Sequence, residues 1–561
     1  MSNYLPISTA NGGKMTEGCC TPTIDKTPQT VVALPKKVLP IIFIPGIMGT
    51  NLRLTSGQQR ISERSNNIAW HPDSKTSSLG LVFVDASDRQ SRLSPLTTEV
   101  DVYDPVKNPT GNPSETSEDR HDMGDIYVFL NADPLSPLLV NDLKTKVGGK
   151  TKEQKAMERG WGEIYFSSYQ MILESCEKYL NRFTLGKFWR SVLDQSPSDF
   201  KAHNEPVLPP ITEAECRKAL SECFFPVHAM GYNWLQSNGV SGAKMAIRIR
   251  KLIQKYRSEN YQCEKVIVVT HSMGGLVARA LVHPEIGGLA NEVLGVIHGA
   301  MPAVGAPAAY KRMRCGFEEG VTKMAIPPKV LGNYGYEVTA VLANAPGGLE
   351  LLPSRAYGNN WLEIRQGTTL LKSLPERGDP YSEIYQIRGK WFSLLREEWI
   401  NPANLPGRGF ANTCNFLQEA RIFHDSIHNT YHPCTYVHYS AEEDRPSWAS
   451  VVWQFDVRSR EKNWEDLAID FDDAQGKFEL RKVGEKTMYR HRASLGRSVG
   501  AGDQTVPLRS SEHQLWSKKP QGIFRQSGYE HQASYGDNNV IRATMYSLIR
   551  IIQTMKWGEN G

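Results

Sequence analysis

Residues 265–282 read as a buried strand, a sharp turn and a helix in direct succession. The run KVIVV that opens this unit is short, apolar and β-branched, which favours a strand covered on both faces. Thr270-His-Ser-Met-Gly-Gly forms the turn, and a sequence of helical character follows. A clear helix at 242–256 precedes the unit, and VLGVIH at 293–298 predicts the next strand. This alternation is typical of a mainly parallel sheet flanked by helices.

Other segments extend the same sheet or decorate it. Apolar runs bounded by turn residues predict strands, and amphipathic periodicity predicts helices. Two later segments, 448–457 and 477–483, indicate an additional hairpin outside the sheet. The remaining predicted elements are strands at 38–44, 435–440 and 522–525 and helices near 168–181 and 538–555.

The length of the chain predicts one large domain with insertions, because 561 residues exceed what one minimal core requires. We expect the large insertion to act as a lid with an apolar face. Its candidate residues are Tyr334, Tyr336, Val341, Leu342, Leu349, Leu351, Leu352, Tyr357 and Trp361. The predicted organisation is a flexible leader at 1–37, a first core part at 38–300 with a loop insertion at about 51–160, a cap or lid at 301–434, a core strand at 435–440, a second insertion at 441–500 and the last core part at 501–561.

Charge and hydropathy exclude several classes of protein. A net charge of +5 from 65 basic and 60 acidic side chains does not favour nucleic-acid binding. The polar N-terminus shows no secretory signal, and no apolar stretch approaches the ~20 residues of a membrane span. The nine cysteines lack CxxC spacing, so free thiols are expected, although a Cys216–Cys223 disulfide stays open.

Ser272 is the candidate nucleophile. A serine between a buried strand and a helix occupies the context of a nucleophile elbow, in which the flanking positions must be small. Gly274 and Gly275 meet this requirement. Thr270 departs from the usual glycine, so the motif depends on its position between strand and helix.

A serine hydroxyl needs a base and an acid that orients the base. Asp503, in Gly-Asp-Gln-Thr-Val-Pro, and His531, in Gly-Tyr-Glu-His-Gln-Ala-Ser, follow Ser272 in the order serine, acid, histidine that α/β-hydrolases use. The alternatives left open are Asp444 and Asp537 for the acid and His513 for the base.

Backbone N–H groups are expected to stabilise the oxyanion. One should be that of Met273, directly after the nucleophile. The second should come from the loop Pro45-Gly-Ile-Met-Gly-Thr after the early strand, with Ile47 as first choice beside Gly46.

Two polar clusters could bind metal ions, but each has a simpler interpretation. His424, His428 and His432 are spaced four apart, yet no carboxylate motif accompanies them and Pro433 ends any helix there. Residues 442–444, Glu-Glu-Asp, fit a solvated turn better than a calcium site. The sequence therefore predicts no metal and no cofactor.

Together these motifs resemble the lecithin:cholesterol acyltransferase and PGAP-type lipases. The resemblance rests on Ile-Pro-Gly-Ile-Met-Gly-Thr-Asn-Leu, Thr-His-Ser-Met-Gly-Gly and Gly-Asp-Gln-Thr-Val-Pro, and on Asn344-Ala-Pro-Gly-Gly-Leu-Glu-Leu-Leu-Pro353 in the cap. The stretch around His531 is similar to bacterial members, among which phospholipase effectors of type VI secretion are closest. The motifs span most of the chain.

The resemblance implies an α/β-hydrolase fold with cap insertions and a serine lipase or phospholipase that cleaves fatty-acyl esters of membrane phospholipids. It also implies an immunity protein, a secretion spike or adaptor partner, and action on a target membrane from the periplasm after synthesis without a signal peptide. The alternatives are an acyltransferase or general carboxylesterase, and a non-catalytic binding module that retains the fold.

Overall fold

The computed structural model describes residues 36–62, 67–73, 84–102, 130, 136–143, 146–221, 223–317, 331–484 and 490–558, and the backbone of three strands before them. Those three strands, β1 (Ser8–Ala10), β2 (Met15–Gly18) and β3 (Gln29–Val32), pair antiparallel. The segment predicted as a flexible leader, residues 1–37, therefore contains three short paired strands.

A six-stranded parallel sheet forms the centre of the molecule, in the order β18-β13-β10-β9-β4-β8. Its strands end on the same side, so the loops that follow them gather at one edge. The predicted strand at 38–44 begins only after Pro40, which cannot donate a ladder hydrogen bond. The strands are β4 (Ile41–Ile44), β8 (Val227–Ala229), β9 (Val266–His271), β10 (Val293–Gly299), β13 (Thr435–Ser440) and β18 (Pro520–Gln526).

A second six-stranded sheet is built from the predicted cap at 301–434 and the predicted second insertion at 441–500, in the order β12-β11-β14-β17-β16-β15. The two segments predicted to form a hairpin are not paired with each other. β14 lies between β11 and β17, whereas β16 lies between β17 and β15. The strands are β11 (Leu362–Gln366), β12 (Thr369–Leu374), β14 (Val451–Phe455), β15 (Ala468–Asp472), β16 (Lys477–Arg481) and β17 (His491–Leu495).

The first insertion, predicted as loops, contributes a small antiparallel sheet in the order β6-β5-β7. Its strands are β5 (Leu52–Leu54), β6 (Ile68–Trp70) and β7 (Thr98–Val100). The described α-helices are Ser56–Ile61, Ala86–Arg92, Lys152–Glu158, Phe166–Asn181, Lys187–Arg190, Glu213–Ser221, Asn238–Ser258, Gly274–Val282, Pro307–Cys315, Gly335–Leu342, Pro346–Leu349, Glu397–Ile400, Phe410–Ile427, Leu508–His513 and Asn538–Ile552.

Cysteines play no cross-linking part in the described chain. Cys216 and Cys223 are both buried, and the disulfide left open between them does not form. In the described residues, no helix is both long and apolar enough to cross a membrane.

Candidate active site

Ser272 lies on a strained turn at the carboxyl end of β9. Its φ is +53°, a left-handed conformation that non-glycine residues rarely adopt. Its N–H donates to the carbonyl of Gly299 at 2.8 Å, and the helix Gly274–Val282 begins two residues later. This is the strand, strained turn and helix geometry of a nucleophile elbow.

Small residues let other parts of the backbone approach this turn closely. A Cβ on Gly274 would lie 2.4 Å from the carbonyl oxygen of Pro45, and one on Gly275 would lie 2.5 Å from the sulfur of Met301. Thr270 departs from the usual glycine and is buried. Its hydroxyl lies 3.3 Å from His298 Nδ1 on the neighbouring strand, so the buried polar group has a partner.

The structure brings Ser272, His531 and Asp503 into one hydrogen-bonded chain. His531 Nε2 lies 2.8 Å from Ser272 Oγ, and His531 Nδ1 lies 2.7 Å from Asp503 Oδ2. The other carboxylate oxygen of Asp503 accepts from the N–H groups of Thr505 and Val506 at 3.1 and 2.7 Å. The backbone N–H of His531 also donates to the carbonyl oxygen of Asp503 at 3.0 Å. Asp503 therefore holds His531 through both the ring and the backbone.

The alternative acids and base have other surroundings. Asp444 is exposed, and Asp537 caps the helix Asn538–Ile552 by accepting from the N–H groups of Asn539 and Val540. His513 packs against the ring of Trp516, with 4.6 Å between centroids.

The loop after β4 lies against Ser272. A Cβ on Gly46 would lie 3.0 Å from Ser272 Cβ, and Met48 has a φ of +61°. In the part of the chain that the structure describes, the N–H groups of Ile47 and Met273 donate to no other group. The Gly46 N–H was expected as an oxyanion donor. It donates instead to the Tyr169 hydroxyl at 3.1 Å and is therefore engaged.

Tyr169 and His271 lie beside the site although the sequence alone indicated neither. The Tyr169 hydroxyl lies 3.0 Å from His271 Nδ1, and His271 Nε2 lies 3.0 Å from the carbonyl oxygen of His531. Burial lowers the pKa of His271 well below 6.5, with a further contribution from His531, and burial raises the pKa of Tyr169 to about 12. Both groups are therefore uncharged near neutral pH. No local pattern marks Tyr169, which lies 102 positions before His271.

The three spaced histidines do not converge. His424 lies in the helix Phe410–Ile427 and contacts the Tyr381 hydroxyl, whereas His428 follows the helix end and His432 contacts the carbonyl of Ala290. Among the described residues, no group of three His, Cys, Asp or Glu side chains is arranged to hold a metal ion.

The acidic residues 442–444 have a structural contact with the loop that carries His531. Glu442 accepts from the N–H of Gly528 at 2.7 Å and forms an ion pair with Arg445 at 3.2 Å. Glu442 therefore helps to fix the approach to the histidine loop.

The apolar face predicted for the cap is largely internal. Tyr334 and Tyr336 are exposed, and Leu351 is partly buried. The others pack in the hydrophobic cluster that also covers one face of the central sheet, because an insertion must bury a core of its own. The buried members are Val341, Leu342, Leu349, Leu352, Tyr357 and Trp361.

The parallel sheet, the strained serine turn and the loops at its carboxyl edge define an α/β hydrolase. The family model described as "PGAP1-like alpha/beta domain" matches residues 243–327, which include the elbow. A chain in "The crystal structure of Tle4-Tli4 complex" is similar with a TM-score of 0.72 and 29% identity, over 93% of this chain and 99% of that one. No curated protein sequence matches. The family and structure matches confirm the resemblance predicted from the motifs and support hydrolase activity.

Proposed function

We propose that this chain is a serine phospholipase with Ser272 as nucleophile, His531 as general base and acid, and Asp503 as the residue that orients the imidazole. The observation that carries this proposal is the continuous contact from Ser272 Oγ through His531 to Asp503, at 2.8 and 2.7 Å. The "PGAP1-like alpha/beta domain" match and the similarity to Tle4 support lipid esters as the substrate class.

The reaction begins when His531 Nε2 takes the proton of Ser272 and Oγ attacks the ester carbonyl carbon. The resulting oxyanion accepts hydrogen bonds from the N–H groups of Met273 and Ile47. His531 then protonates the leaving alcohol as the ester bond breaks, which leaves a seryl ester. Water attacks this ester with His531 as base and releases the fatty acid, while Asp503 keeps the imidazole in the tautomer with hydrogen on Nδ1.

The biological setting that we propose is delivery by type VI secretion into a target bacterium, where the enzyme attacks membrane phospholipids from the periplasm. The support is the similarity to Tle4 over almost the whole of both chains. Because that protein was solved in complex with Tli4, we also propose an immunity protein that binds this chain, and a spike or adaptor that carries it.

The test compares wild type, Ser272→Ala and, as a matched control, Ser258→Ala, whose exposed hydroxyl donates to the Lys255 carbonyl. Purified proteins are incubated with phosphatidylethanolamine and phosphatidylglycerol vesicles, and released fatty acid and lysophospholipid are measured. We expect Ser272→Ala to lose activity by on the order of 10⁴- to 10⁶-fold and to resist fluorophosphonate labelling. The Ser258→Ala variant should match wild type.

Equal hydrolysis by Ser272→Ala and wild type would overturn the proposed mechanism. Transfer of the acyl group to an added alcohol in preference to water would identify an acyltransferase instead.

The biological setting is tested by expressing each protein in a bacterium in cytoplasmic and periplasmic form. Toxicity is expected only from the wild-type and Ser258→Ala periplasmic forms, and equal harm from periplasmic Ser272→Ala would contradict an enzymatic toxin.

A further inference from the structure

A buried chain of hydrogen bonds joins three segments beneath the site. The Gly46 N–H lies 3.1 Å from the Tyr169 hydroxyl oxygen, which lies 3.0 Å from His271 Nδ1. His271 Nε2 in turn lies 3.0 Å from the carbonyl oxygen of His531. Two side chains, Tyr169 from the helix Phe166–Asn181 and His271 beside Ser272, thus connect the loop after β4 to the histidine loop.

The direction of this chain is determined by its two ends. A backbone N–H can only donate and a backbone carbonyl can only accept. The carbonyl oxygen of His531 can only accept, so His271 carries its hydrogen on Nε2 and donates it there. In a neutral imidazole Nδ1 is then an acceptor, and the Tyr169 hydroxyl, which also accepts from the Gly46 N–H, donates its single hydrogen to it. The arrangement is satisfied throughout only while His271 is neutral and in this tautomer.

The surroundings keep His271 in that state. Its side chain is fully buried, and burial lowers its pKa well below 6.5. The ring centroids of His271 and His531 are only 4.9 Å apart. Because His531 becomes positively charged when it takes the serine proton, a second charge at this distance would oppose the step. A neutral His271 avoids that repulsion.

We propose that Tyr169 and His271 are positioning residues that hold the Ile47 N–H and His531 in register with Ser272, an inference that rests on the proposed function. Gly46 is anchored by Tyr169 and packs so closely that a Cβ there would lie 3.0 Å from Ser272 Cβ and 3.1 Å from His271 Nδ1. Ile47 follows directly in the chain, so its N–H is aimed by that anchor. His531 is held from the other end of the same chain.

The chain offers a matched control in a second buried tyrosine and histidine pair. The Tyr381 hydroxyl lies 2.8 Å from His424 Nδ1, and His424 Nε2 lies 2.8 Å from the carbonyl oxygen of Glu350. Both pairs are buried and share a tyrosine–histidine and a histidine–carbonyl contact, whereas the hydrogen bond from the Gly46 N–H is made only to Tyr169. Among the described residues, no hydrogen bond or ring contact joins Tyr381 or His424 to Ser272, Asp503 or His531. Tyr381→Phe therefore measures what the loss of a buried tyrosine hydroxyl does by itself.

The experiment compares Tyr169→Phe with Tyr381→Phe. We expect Tyr169→Phe to lower kcat and the fluorophosphonate labelling rate of Ser272 by about 10- to 100-fold, with KM changed less than about threefold, because reacting groups lose alignment and not substrate contacts. Tyr381→Phe should leave both rates within about twofold, while the two variants lose similar thermal stability. Unchanged labelling and kcat in Tyr169→Phe would overturn the inference.

Substitutions of His271 give a second, independent readout. A glutamine can accept from Tyr169 and donate to His531, whereas leucine can do neither. His271→Gln is therefore expected to retain activity within about fivefold and His271→Leu to lose at least what Tyr169→Phe loses. Equal loss in both His271 variants would contradict a role for the polar chain. A wild type that the probe does not label would instead contradict the proposed function itself, and the inference with it.

Discussion

Glu350 is a buried carboxylate for which the described chain offers no ion pair. It accepts from the Ser237 hydroxyl at 2.6 Å and from the backbone and side-chain N–H groups of Asn238 at 2.7 Å each. It thereby caps the helix Asn238–Ser258, whose N-terminus favours a negative charge. Burial raises the pKa of Glu350, whereas these hydrogen bonds lower it. Burial has the larger effect, so the pKa is raised to about 7.

This raised pKa predicts a pH-dependent stability. The unfolded chain releases the Glu350 proton near pH 4.5, whereas the folded protein holds it to about 7. The stability that protonated Glu350 contributes is therefore fully present below pH 4.5 and is lost as the pH rises through 7. The free energy of unfolding falls by about 3 kcal/mol in all. We expect Glu350→Gln to remove this component. Urea unfolding of both proteins at pH 5 and pH 8 checks it, and an identical pH slope in the two would contradict it.

At the scale of residues, the sequence supports prediction where side chains stand in ordered motifs. Ser272, Asp503 and His531 could be singled out because an elbow and two downstream turns follow one another in a fixed order, and the structure brings them within hydrogen-bond distance. Tyr169 could not, because its contact with His271 spans 102 positions and depends on how the helix Phe166–Asn181 packs. The engagement of the Gly46 N–H was missed for the same reason.

At the scale of elements, the helices Asn238–Ser258 and Gly274–Val282 are packed closely beside the serine turn. A Cβ on Gly242 would lie 2.6 Å from Ala280 Cβ and 2.9 Å from the backbone nitrogen of Leu281. Helix axes can approach this closely only where a small residue faces the partner. The helix Gly274–Val282 starts two residues after Ser272. Its position therefore also sets the orientation of the elbow.

The same helix supplies a matched pair of glycine substitutions. Gly242→Ala should lower the free energy of unfolding by about 1–3 kcal/mol, because the methyl group forces the two helices apart. At Gly239 an added Cβ would meet its nearest atom, in Phe423, at 3.4 Å. Gly239→Ala should therefore be neutral or stabilise by up to about 1 kcal/mol. Denaturant unfolding distinguishes them, and equal stabilities would argue against close packing at Gly242.

The central strands could be predicted from sequence, and the second sheet could not. β9, β10 and β13 are short apolar runs whose local pattern suffices for a strand buried on both faces. β11 pairs in parallel with β14, although a cap helix and many loop residues separate them. The pairing of such strands depends on contacts distant in sequence. Local periodicity therefore identified the segments of β14 and β16 as strands but paired them wrongly with each other.

At the scale of the molecule, the central sheet separates two hydrophobic clusters. Alternate residues of β9 point to opposite faces, Val266 and Val268 to one cluster and Ile267 and Val269 to the other. The first cluster continues into the second sheet, where it includes Trp453. The core and the insertions therefore share apolar packing.

A buried cation strengthens this connection. Arg279, in the helix that follows the serine turn, donates to the carbonyls of Thr430, Ala303, Ile427 and His428. It thus links the elbow helix to the end of the cap helix Phe410–Ile427. Separating the two would leave several buried carbonyl groups without a partner, at about 1–3 kcal/mol each.

The shared packing predicts that both sheets unfold as one cooperative unit. β9 and β14 are interior strands of different sheets, but the side chains of both belong to the first hydrophobic cluster. Opening either sheet alone would expose that cluster, so their backbone amides should exchange with deuterium at free energies that agree within about 1 kcal/mol. The exposed edge strand β15 serves as the internal control and should exchange earlier. Hydrogen exchange followed by mass spectrometry over a denaturant series makes the comparison. Exchange of β14 well before β9 would show that the insertions unfold separately and that the core alone sets the stability of the site.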